Sequence, residues 1–531
     1  MTGSAEKRSL KEQSAWLLAA KIIGFGFSFV LPLLIVRYLP QQEVGHYRAA
    51  FQVIANAVVL LPLGFSMSAY YFLARESQER RAASILNILV FNFFVGGLAC
   101  LALNLYPRII GDVFQSEALT ELAPKIGVVI WIWIFSTFLE TVAIANQEAR
   151  IATVFIIIAQ LSKTIFMGAA VFEFATVESF MYAAMVQGVI QTAILLVYLT
   201  SRFPGFWRSF DLSFFWEQMR YAMPFGLAGI LWMAQNDIHN YFVGYKFSSA
   251  DFAIYAYGCF EVPLIAMLSE SVTSVLIPRM NELQLVGDRD EMIRLTARAS
   301  QKLSFFYFPI YIFLLITANT FVITLFTEKY AASAPIFMVN LTILPFSIVI
   351  TDPVLRSYKE LGRLFLLTRI LILMMLIAGL YFGLPYLGLT GFIAVAVAAI
   401  VIEKCFAETM IFVKLGVGRR HLPLLKSIGK TGVASIIAGA ATYLVYAGTH
   451  DHVMAIGEHF VRGVLMSEKM GIRNLIGGGL VLAVSGAVFA PVYLFFANLF
   501  GVIEPEEKRT VRQFIDKMIL HRRSNTAEAA S

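Results

Sequence analysis

Long, uninterrupted apolar runs dominate this sequence and limit what it can fold into. From Ala15 to Val36, Lys21 is the one charged residue. About 20 apolar residues are enough to cross the ~30 Å hydrocarbon layer as a helix. Of the 531 residues, 58% are hydrophobic and 15% are charged. Because a soluble chain is nearer ~45–50% apolar and ~25% charged, these values indicate an integral membrane protein.

Apolar segments long enough to span the bilayer recur along the whole chain. The predicted spans are 12–38, 47–74, 82–106, 122–146, 151–172, 178–200, 221–245, 252–278, 303–326, 331–355, 364–384, 389–413, 431–448 and 474–500. The linkers between them are short, so no soluble domain is inserted. The sequence therefore predicts an all-α polytopic membrane protein of about fourteen transmembrane helices.

Lysine and arginine are distributed unevenly between the two sides of these spans. Thirty of the 42 fall in segments on the N-terminal side and nine on the opposite side; Lys21, Lys163 and Lys404 lie within spans. Short cytoplasmic loops retain positive charge. We therefore expect a multi-pass protein of the inner or plasma membrane with both termini in the cytoplasm. The net charge of +7 then needs no nucleic-acid partner.

A short pattern occurs twice, at an offset of 208 residues. The linkers 39–47 and 247–255 both read apolar, three variable residues, acid, apolar, small, variable, Tyr. Arg150 and Arg363 open corresponding spans at an offset of 213. Six spans separate the copies, so we predict a parallel repeat with the transport path between the halves. The expected domains are two six-helix lobes, two further helices and a basic tail, at 1–205, 206–420, 421–500 and 501–531.

Two further segments have interfacial patterns. In the tail, Val511, Phe514 and Met518 share one helical stripe and most basic residues lie elsewhere, which favours a helix on an anionic leaflet over a solvated one. The long predicted outer segment 449–473 is partly amphipathic. Its His-Asp-His cluster at 450–452 is too short to indicate a metal site, and no metal is expected.

Charged residues inside the spans are the candidates for function, because charge in hydrocarbon is costly. They are Lys21, Lys163, Lys404, Glu140, Asp237, Glu261, Glu270 and Glu403. Lys21 and Glu261 are each ten residues from the nearest charged residue on one side, ~15 Å along a helix, and should face a wet cavity or a partner. The alternative is structural, with lysine and glutamate neutralising each other between helices, above all for Glu403 and Lys404.

The seventh span carries an unusually polar stretch, residues 235–241. Asn236 and Asn240 share one face of a helix at a spacing of four residues. Asp237 and His239 are candidates for binding a coupling proton or cation, together with Glu261 and Glu270. Structural hydrogen bonding to the first or eighth span is the equally open alternative.

Motifs of soluble catalysis are absent from the sequence. There is no Walker A motif, so ATP hydrolysis by this chain is not expected. The Gly-Phe-Gly at 24–26 and the three glycines at 477–479 lie within spans, where close helix packing explains them better than phosphate binding. We expect no cofactor and no enzymatic activity.

The first linker resembles that of a known family. Residues 35–47, Ile-Val-Arg-Tyr-Leu-Pro-Gln-Gln-Glu-Val-Gly-His-Tyr, resemble the first-loop motif of Wzx-type polysaccharide flippases, Ala-Arg-x-Leu-Gly-Pro-Glu-x-Tyr/Phe-Gly-x-Tyr. Pro40-Gln41 stands where Gly-Pro is usual, and Val44 replaces the aromatic residue. These flippases belong to the multidrug, oligosaccharidyl-lipid and polysaccharide (MOP) exporter superfamily.

The resemblance implies flipping of an oligosaccharide linked to a polyprenyl pyrophosphate, by alternating access between two lobes. Lys21, Arg48 and Lys163 are the cations expected to meet the pyrophosphate, and Asn236 and Asn240 complete the expected substrate cavity. The driving force is expected to come either from a gradient, with a proton or sodium ion as the possible coupling ion, or from removal of the product. The expected partners are the lipid-linked oligosaccharide, membrane lipids, and the polymerase or glycosyltransferase machinery.

Other functions remain open at this stage. A cation-coupled multidrug exporter and a peptidoglycan-precursor flippase share the same fold. A membrane glycosyltransferase or polymerase would need a larger outer loop or paired carboxylates, and neither is present in the sequence. A scaffold that recruits synthesis enzymes through its basic tail is the last alternative.

Overall fold

The protein is described by a computed structural model that covers residues 24, 26, 27, 29–464 and 470–503. Within these residues the secondary structure is helical, without strands. The helices of the first half are α1 (Phe29–Tyr38), α2 (Gln41–Leu60), α3 (Ala69–Arg75), α4 (Gln78–Leu105), α5 (Arg108–Phe114), α6 (Glu117–Ser136), α7 (Phe138–Ala145), α8 (Ala149–Glu173) and α9 (Val177–Arg202). The remaining helices are α10 (Leu212–Lys246), α11 (Ser249–Gly258), α12 (Pro263–Val286), α13 (Arg289–Phe326), α14 (Ser333–Leu341), α15 (Asp352–Ser357), α16 (Lys359–Gly383), α17 (Leu389–Leu415), α18 (Leu422–Val464) and α19 (Met470–Leu499).

These helices confirm the prediction of an all-α polytopic membrane protein. Among the described residues, nine helices are long and apolar enough to span a bilayer, taking α6 and α7 as one, and up to eleven if two bent pairs are counted. The described part of α1 is short, and α10 does not pass the same hydropathy criterion. The number fourteen therefore stays a prediction.

Side-chain caps account for the start of several helices. Ser116, Thr176, Asp211 and Ser248 each precede a helix and accept a hydrogen bond from the backbone N–H three residues later, at 3.0 to 3.4 Å. Such a cap satisfies one of the N–H groups that the first helical turn leaves unpaired. Short polar residues in the linkers thus fix where the apolar helices begin.

Two spans are bent at positions that the hydropathy pattern does not reveal. The helix pair α2 and Phe65–Arg75 turns by 43°. Here Gly64 adopts a φ of 70°, a conformation that side chains disfavour. The pair α11 and α12 turns by 49°, and Pro263 opens the second helix. Proline suits that position because its missing N–H would be unpaired there in any case.

The two copies of the repeated linker have the same helix boundaries. Helix α1 ends at Tyr38 and α10 at Lys246, whereas α2 begins at Gln41 and α11 at Ser249, so both boundaries keep the offset of 208. The two linkers also meet, since a side chain at Gly45 would overlap the carbonyl oxygen of Ser249. The small residue in the pattern is therefore a requirement of close packing between α2 and α11.

Helical contacts divide the chain into two compact units. The first contains residues up to Phe260, together with Leu325–Ile336 and Arg369–Ala399; the second contains Glu261–Thr324, Phe337–Thr368 and the chain from Ile400 onward. Phe65, Phe138 and Tyr198 belong to the apolar core of the first unit. Met292 and Tyr307 belong to that of the second. The predicted division was drawn from the sequence repeat and not from contacts between helices. It therefore stays a prediction, with bounds at 1–205, 206–420, 421–500 and 501–531.

One linker differs from its expected form. The segment expected as an outer loop, 449–473, is largely helical, because α18 continues to Val464 and α19 begins at Met470. Its amphipathic composition is compatible with that extension. The amphipathic tail predicted at 501–531 lies outside the described residues from position 504 on.

Candidate functional site

A cavity lined partly by polar side chains lies within the first unit, between apolar helices. Its volume is about 180 Å³, and α6, α7, α8 and α9 line it. Nine of the side chains that line it are polar or aromatic: Trp133, Ser136, Thr137, Glu140, Phe155, Gln160, Lys163, Gln187 and Gln191. Polar groups are expensive at membrane depth unless they face water, a partner or a substrate. This cavity is therefore the candidate site.

Helical spacing explains how the polar side chains converge. Gln160 and Lys163 are three residues apart on α8, and Gln187 and Gln191 are four apart on α9, so each pair shares one helical face. The third wall is formed by the end of α6 and the start of α7, which form one span through Thr137.

The Trp133 indole is held in a fixed position on the cavity wall. Its Nε1–H donates to the carbonyl oxygen of Ala184 on α9 at 3.0 Å. Gly188 lies against the same ring, and a Cβ there would lie 2.6 Å from Ile132 Cγ2 and 2.9 Å from Trp133 Cδ1. Glycine at 188 therefore lets α9 approach α6 closely enough for the hydrogen bond to form.

The Lys163 ammonium lies over this indole. Its Nζ is 5.1 Å from the centroid of the Trp133 ring, and Lys163 is near the middle of α8. A cation over an aromatic face gains about 0.5–1 kcal/mol when exposed and ~2 kcal/mol when desolvated. The ring thus stabilises a positive charge inside the bundle, at a depth where charge is otherwise costly.

The Gln187 side chain lines the cavity, and its carbonyl oxygen is buried. The residue is 4% exposed, and its Oε1 has no hydrogen-bond partner among the residues that the structure describes. A buried acceptor without a donor costs roughly 1–3 kcal/mol.

Comparison with known proteins gives the chain a family. Residues 34–335, more than half of the chain, match the family model described as polysaccharide biosynthesis protein. The chain belongs to this family. A search of curated protein sequences gave no match.

Solved structures share the fold of this family member. The structure of the lipid II flippase MurJ in an inward closed conformation aligns with a TM-score of 0.69 at 14% identity, covering 92% of this chain and 98% of MurJ. An inward-facing multidrug resistance MATE transporter of the MOP superfamily has a TM-score of 0.59 at 12% identity, covering 73% and 94%. A MOP transporter from Pyrococcus furiosus has a TM-score of 0.55 at 14% identity, covering 76% and 96%.

These matches confirm the resemblance to the MOP superfamily that the first linker indicated. They also confirm a multi-pass membrane protein connected with polysaccharide biosynthesis. At these identities the structural likeness concerns the fold, and the roles of individual residues depend on their own geometry.

Two of the three predicted cations can be placed. Lys21 lies outside the described residues. Lys163 lines the cavity, and so does Glu140, another of the charges singled out within the spans. Arg48 does not line it; its guanidinium lies 5.3 Å from the ring centroid of Tyr257. The structure thus brings one predicted cation and one predicted carboxylate to the same cavity.

The polar stretch of α10 has local contacts of its own. Asn236 Nδ2 donates to the Trp232 carbonyl at 2.7 Å. His239 Nδ1 and the Tyr255 hydroxyl are 2.7 Å apart, so this histidine is hydrogen-bonded to the tyrosine of the second linker. Asn240 is buried and Asp237 half-buried. These contacts fit the structural interpretation of the stretch, and its role in ion coupling stays a prediction.

The remaining charged candidates belong to the second unit. Glu261 and Glu270 are exposed, Glu403 is 8% exposed and Lys404 is half-buried. Glu261 follows α11 at the bend before Pro263. Their role in coupling likewise stays a prediction. Among the described residues, no group of three or more His, Cys, Asp or Glu is arranged to hold a metal ion.

Sequence reasoning did not single out Trp133, Gln160, Gln187 or Gln191. A signal existed for the glutamines, because amides recur at helical spacing within otherwise apolar spans: Gln160 lies three residues before Lys163, and Gln187 four before Gln191. No comparable signal existed for Trp133, since tryptophan in a span is more often a lipid or packing residue.

Proposed function

We propose that the protein flips a polyprenyl-pyrophosphate-linked oligosaccharide from the cytoplasmic to the outer leaflet, for polysaccharide biosynthesis. The observation that carries the proposal is the cavity of Lys163, Trp133 and three glutamines inside the helices of a polysaccharide biosynthesis family member. Such a cavity offers polar groups to a glycan at a depth where the surrounding bilayer offers none.

No covalent bond changes in this process, so the protein acts as a carrier and not as an enzyme. The polyprenyl chain can stay in the bilayer while the polar head passes along the protein. The direction of transport then requires a gradient or removal of the product, and Asp237, His239, Glu261 and Glu270 are our candidates for binding a proton or sodium ion. Lys21, Arg48, Asn236 and Asn240 are proposed to contact the substrate outside the cavity.

The charge distribution supports an N-in, C-in orientation in the inner or plasma membrane. A fluorescent protein that matures only in the cytoplasm, fused to the C-terminus, should fluoresce in intact cells. A periplasmic alkaline phosphatase fused at the same point should be inactive. The opposite pattern would reverse the direction of every proposed step.

Deletion of the gene tests the proposed function. In the deletion strain we expect a complete lipid-linked glycan to accumulate on the cytoplasmic leaflet while surface glycan disappears. Re-expression of the wild-type chain should restore both levels. Normal glycan export together with increased sensitivity to cationic drugs would instead support multidrug export, and accumulation of a peptidoglycan precursor would support a role in cell-wall synthesis.

A further inference from the structure

The last residue of α3 is an exposed arginine that is stacked on an aromatic ring. The guanidinium carbon of Arg75 lies over the Tyr71 ring, 4.1 Å from its centroid. Tyr71 precedes Arg75 by four residues, so both lie on one face of the helix. Among the residues that the structure describes, the Arg75 side chain forms no ion pair and no hydrogen bond. Its charge is therefore held in position without being neutralised by the chain.

The guanidinium of Arg75 has donors to offer to a ligand. The ring covers one side of the group, whereas the residue as a whole is exposed. A guanidinium carries five N–H donors in a planar fork, and this fork matches two oxygens of a phosphate at once. An exposed, oriented arginine whose donors are free is thus suited to bind a phosphate group.

A second arginine of the same region provides a contrast. Arg80 also lies over an aromatic ring, 4.9 Å from the centroid of Phe214. Unlike Arg75, it has an acidic partner, because its Nη1 lies 3.4 Å from Glu76 Oε2. The two arginines have similar surroundings and differ in whether a carboxylate is already paired with the guanidinium. Of the two, Arg75 is the one available to an anion from outside the chain.

A row of aromatic rings begins at Arg75. The centroid of the Tyr71 ring is 4.5 Å from that of Tyr221 on α10, and Tyr221 is 5.4 Å from Phe225, one turn further along α10. In the proposed topology α3 ends and α10 begins on the cytoplasmic side, so the row leads from that side into the membrane. Phe225 is 57% exposed. The row therefore joins a cationic end, suited to a phosphate, to an apolar end, suited to a hydrocarbon chain.

An ordinary loop cation would not need this arrangement. Basic residues near the ends of spans attract anionic lipids without a fixed geometry. Here the ring of Tyr71 fixes the guanidinium of Arg75, and a side chain that is already ordered loses less freedom on binding. The apolar row starts at the same tyrosine. A lipid with a phosphate head and a long apolar chain fits both features at once.

We propose that Arg75 and the rings of Tyr71, Tyr221 and Phe225 form a docking site for a polyprenyl-linked phosphate on the cytoplasmic side. The lipid-linked substrate binds here before it enters the transport path. The guanidinium pairs with phosphate oxygens, and the first units of the chain lie along Tyr221 and Phe225. This inference rests on the proposed function, and it adds a binding step outside the cavity of Lys163.

Binding to the purified full-length protein in phosphatidylcholine nanodiscs tests the docking site. The probes are polyprenyl pyrophosphate, polyprenol with the same chain, and inorganic pyrophosphate. Phosphatidylglycerol is the competitor. The variant is Arg75→Leu, and Arg80→Leu is the matched control, because Arg80 also lies over a ring but is paired with Glu76. Arg75→Lys keeps the charge and loses the planar fork.

We expect Arg75→Leu to bind polyprenyl pyrophosphate about tenfold more weakly than the wild type, as the loss of charge-assisted hydrogen bonds requires. The affinity of Arg75→Lys should lie between the two, and that of Arg80→Leu should stay at the wild-type level. Polyprenol should bind to all four proteins alike. Inorganic pyrophosphate should bind much more weakly than the lipid, because a phosphate anchored in the membrane has a higher effective concentration at Arg75.

Equal binding of polyprenyl pyrophosphate by Arg75→Leu and the wild type, or an equal loss for Arg80→Leu, would overturn the docking site and leave the flippase proposal intact. Displacement of the probe by phosphatidylglycerol at an equal mole fraction would overturn it too, since any anionic lipid would then bind. Inorganic pyrophosphate that bound as tightly as the lipid would indicate a site for soluble phosphates instead. A wild-type protein that bound no polyprenyl pyrophosphate would overturn both proposals.

Discussion

Helices α8 and α16, which contain Arg150 and Arg363 at the offset of 213, differ in one respect. Both have 25 residues, and their most apolar windows have mean hydropathies of 1.9 and 2.3. Helix α8 carries Gln160 and Lys163 in its middle, whereas α16 has no charged or amide side chain from Ile370 to Gly383. At offsets of 210 to 213, the residue of α16 that corresponds to Lys163 is one of Leu373 to Leu376, and each of these four is Leu or Met. The predicted repeat would thus supply the scaffold twice, with this polar wall in one copy only.

The largest effect should come from giving α16 the cation that α8 has. Leu376 is 1% exposed and lies opposite Lys163 at the offset of 213 set by Arg150 and Arg363. A lysine at the centre of a spanning helix costs about 2.5–3.5 kcal/mol on insertion scales. We expect Leu376→Lys to lower the amount of protein in the membrane several-fold. Leu376→Met is the matched control, and equal levels of the two variants would show that α16 faces a polar space.

A second comparison between the copies concerns the linkers. The first copy has Gly45 where the second has Ala253. Because a Cβ at position 45 would overlap the Ser249 carbonyl, Gly45→Ala should destabilise the protein by about 1–3 kcal/mol, the usual cost of overpacking. Thermal unfolding in detergent measures this.

Gly168→Ala on α8 is the control for this second substitution. A Cβ at position 168 would have no atom within 4 Å, so the variant should unfold at the wild-type temperature or slightly above it. If Gly45→Ala behaved in the same way, the close packing of α2 against α11 would not be needed for stability.

These packing constraints show where sequence reasoning about the fold succeeded and where it could not. Apolar runs and polar caps placed most helices, because a bilayer requires long apolar segments and helix starts require acceptors. The sequence did not predict the bend at Gly64 or the continuation of α18 to Val464. Both depend on tertiary packing or on an amphipathic helix that hydropathy does not distinguish from a loop.

The site was only partly predictable for a related reason. A charge within a span is conspicuous, and Lys163 and Glu140 were found that way. The properties of Trp133 and Gln187 depend on how the helices pack together. Trp133 is fixed by a hydrogen bond to Ala184 of another helix, and Gln187 has a buried carbonyl without a donor among the described residues. Neither property is written in the local sequence.

A third prediction asks whether the polar side chains of α8 serve transport. Lys163→Leu converts this position to the residue type found in α16. We expect glycan export to fall about tenfold or more at matched protein levels, since a loss of 1.4 kcal/mol corresponds to that factor. Protein stability should hold or rise, because a charge leaves the apolar region.

The matched control for Lys163 is Lys125→Leu on α6. Lys125 forms an ion pair with Glu178 at 3.2 Å, with side chains 29% and 53% exposed. Such pairs contribute roughly 0–1 kcal/mol, so export by this variant should stay within about twofold of wild type. Equal export by the two lysine variants would mean that the cation of α8 only packs against Trp133.

The smallest expected effect is on the unfolding temperature of two variants at buried glutamines. One substitution should raise this temperature and the other should lower it. Helix α17 is apolar at 399, opposite Gln187 at the offset of 212 between the starts of α9 and α17. Gln187→Met removes a buried acceptor that lacks a donor in the described chain, so the ligand-free protein should gain about 1 kcal/mol. Gln218 has the same chemistry in a satisfied setting, since it donates to Ser84 at 2.7 Å and accepts from Asn87 at 2.9 Å. Gln218→Met should therefore lower the unfolding temperature in the same assay. A fall in the unfolding temperature for both variants would mean that Gln187 already has a donor, such as bound water. Helices α9 and α17 would then differ in polarity, but the glutamine of α9 would not destabilise the protein.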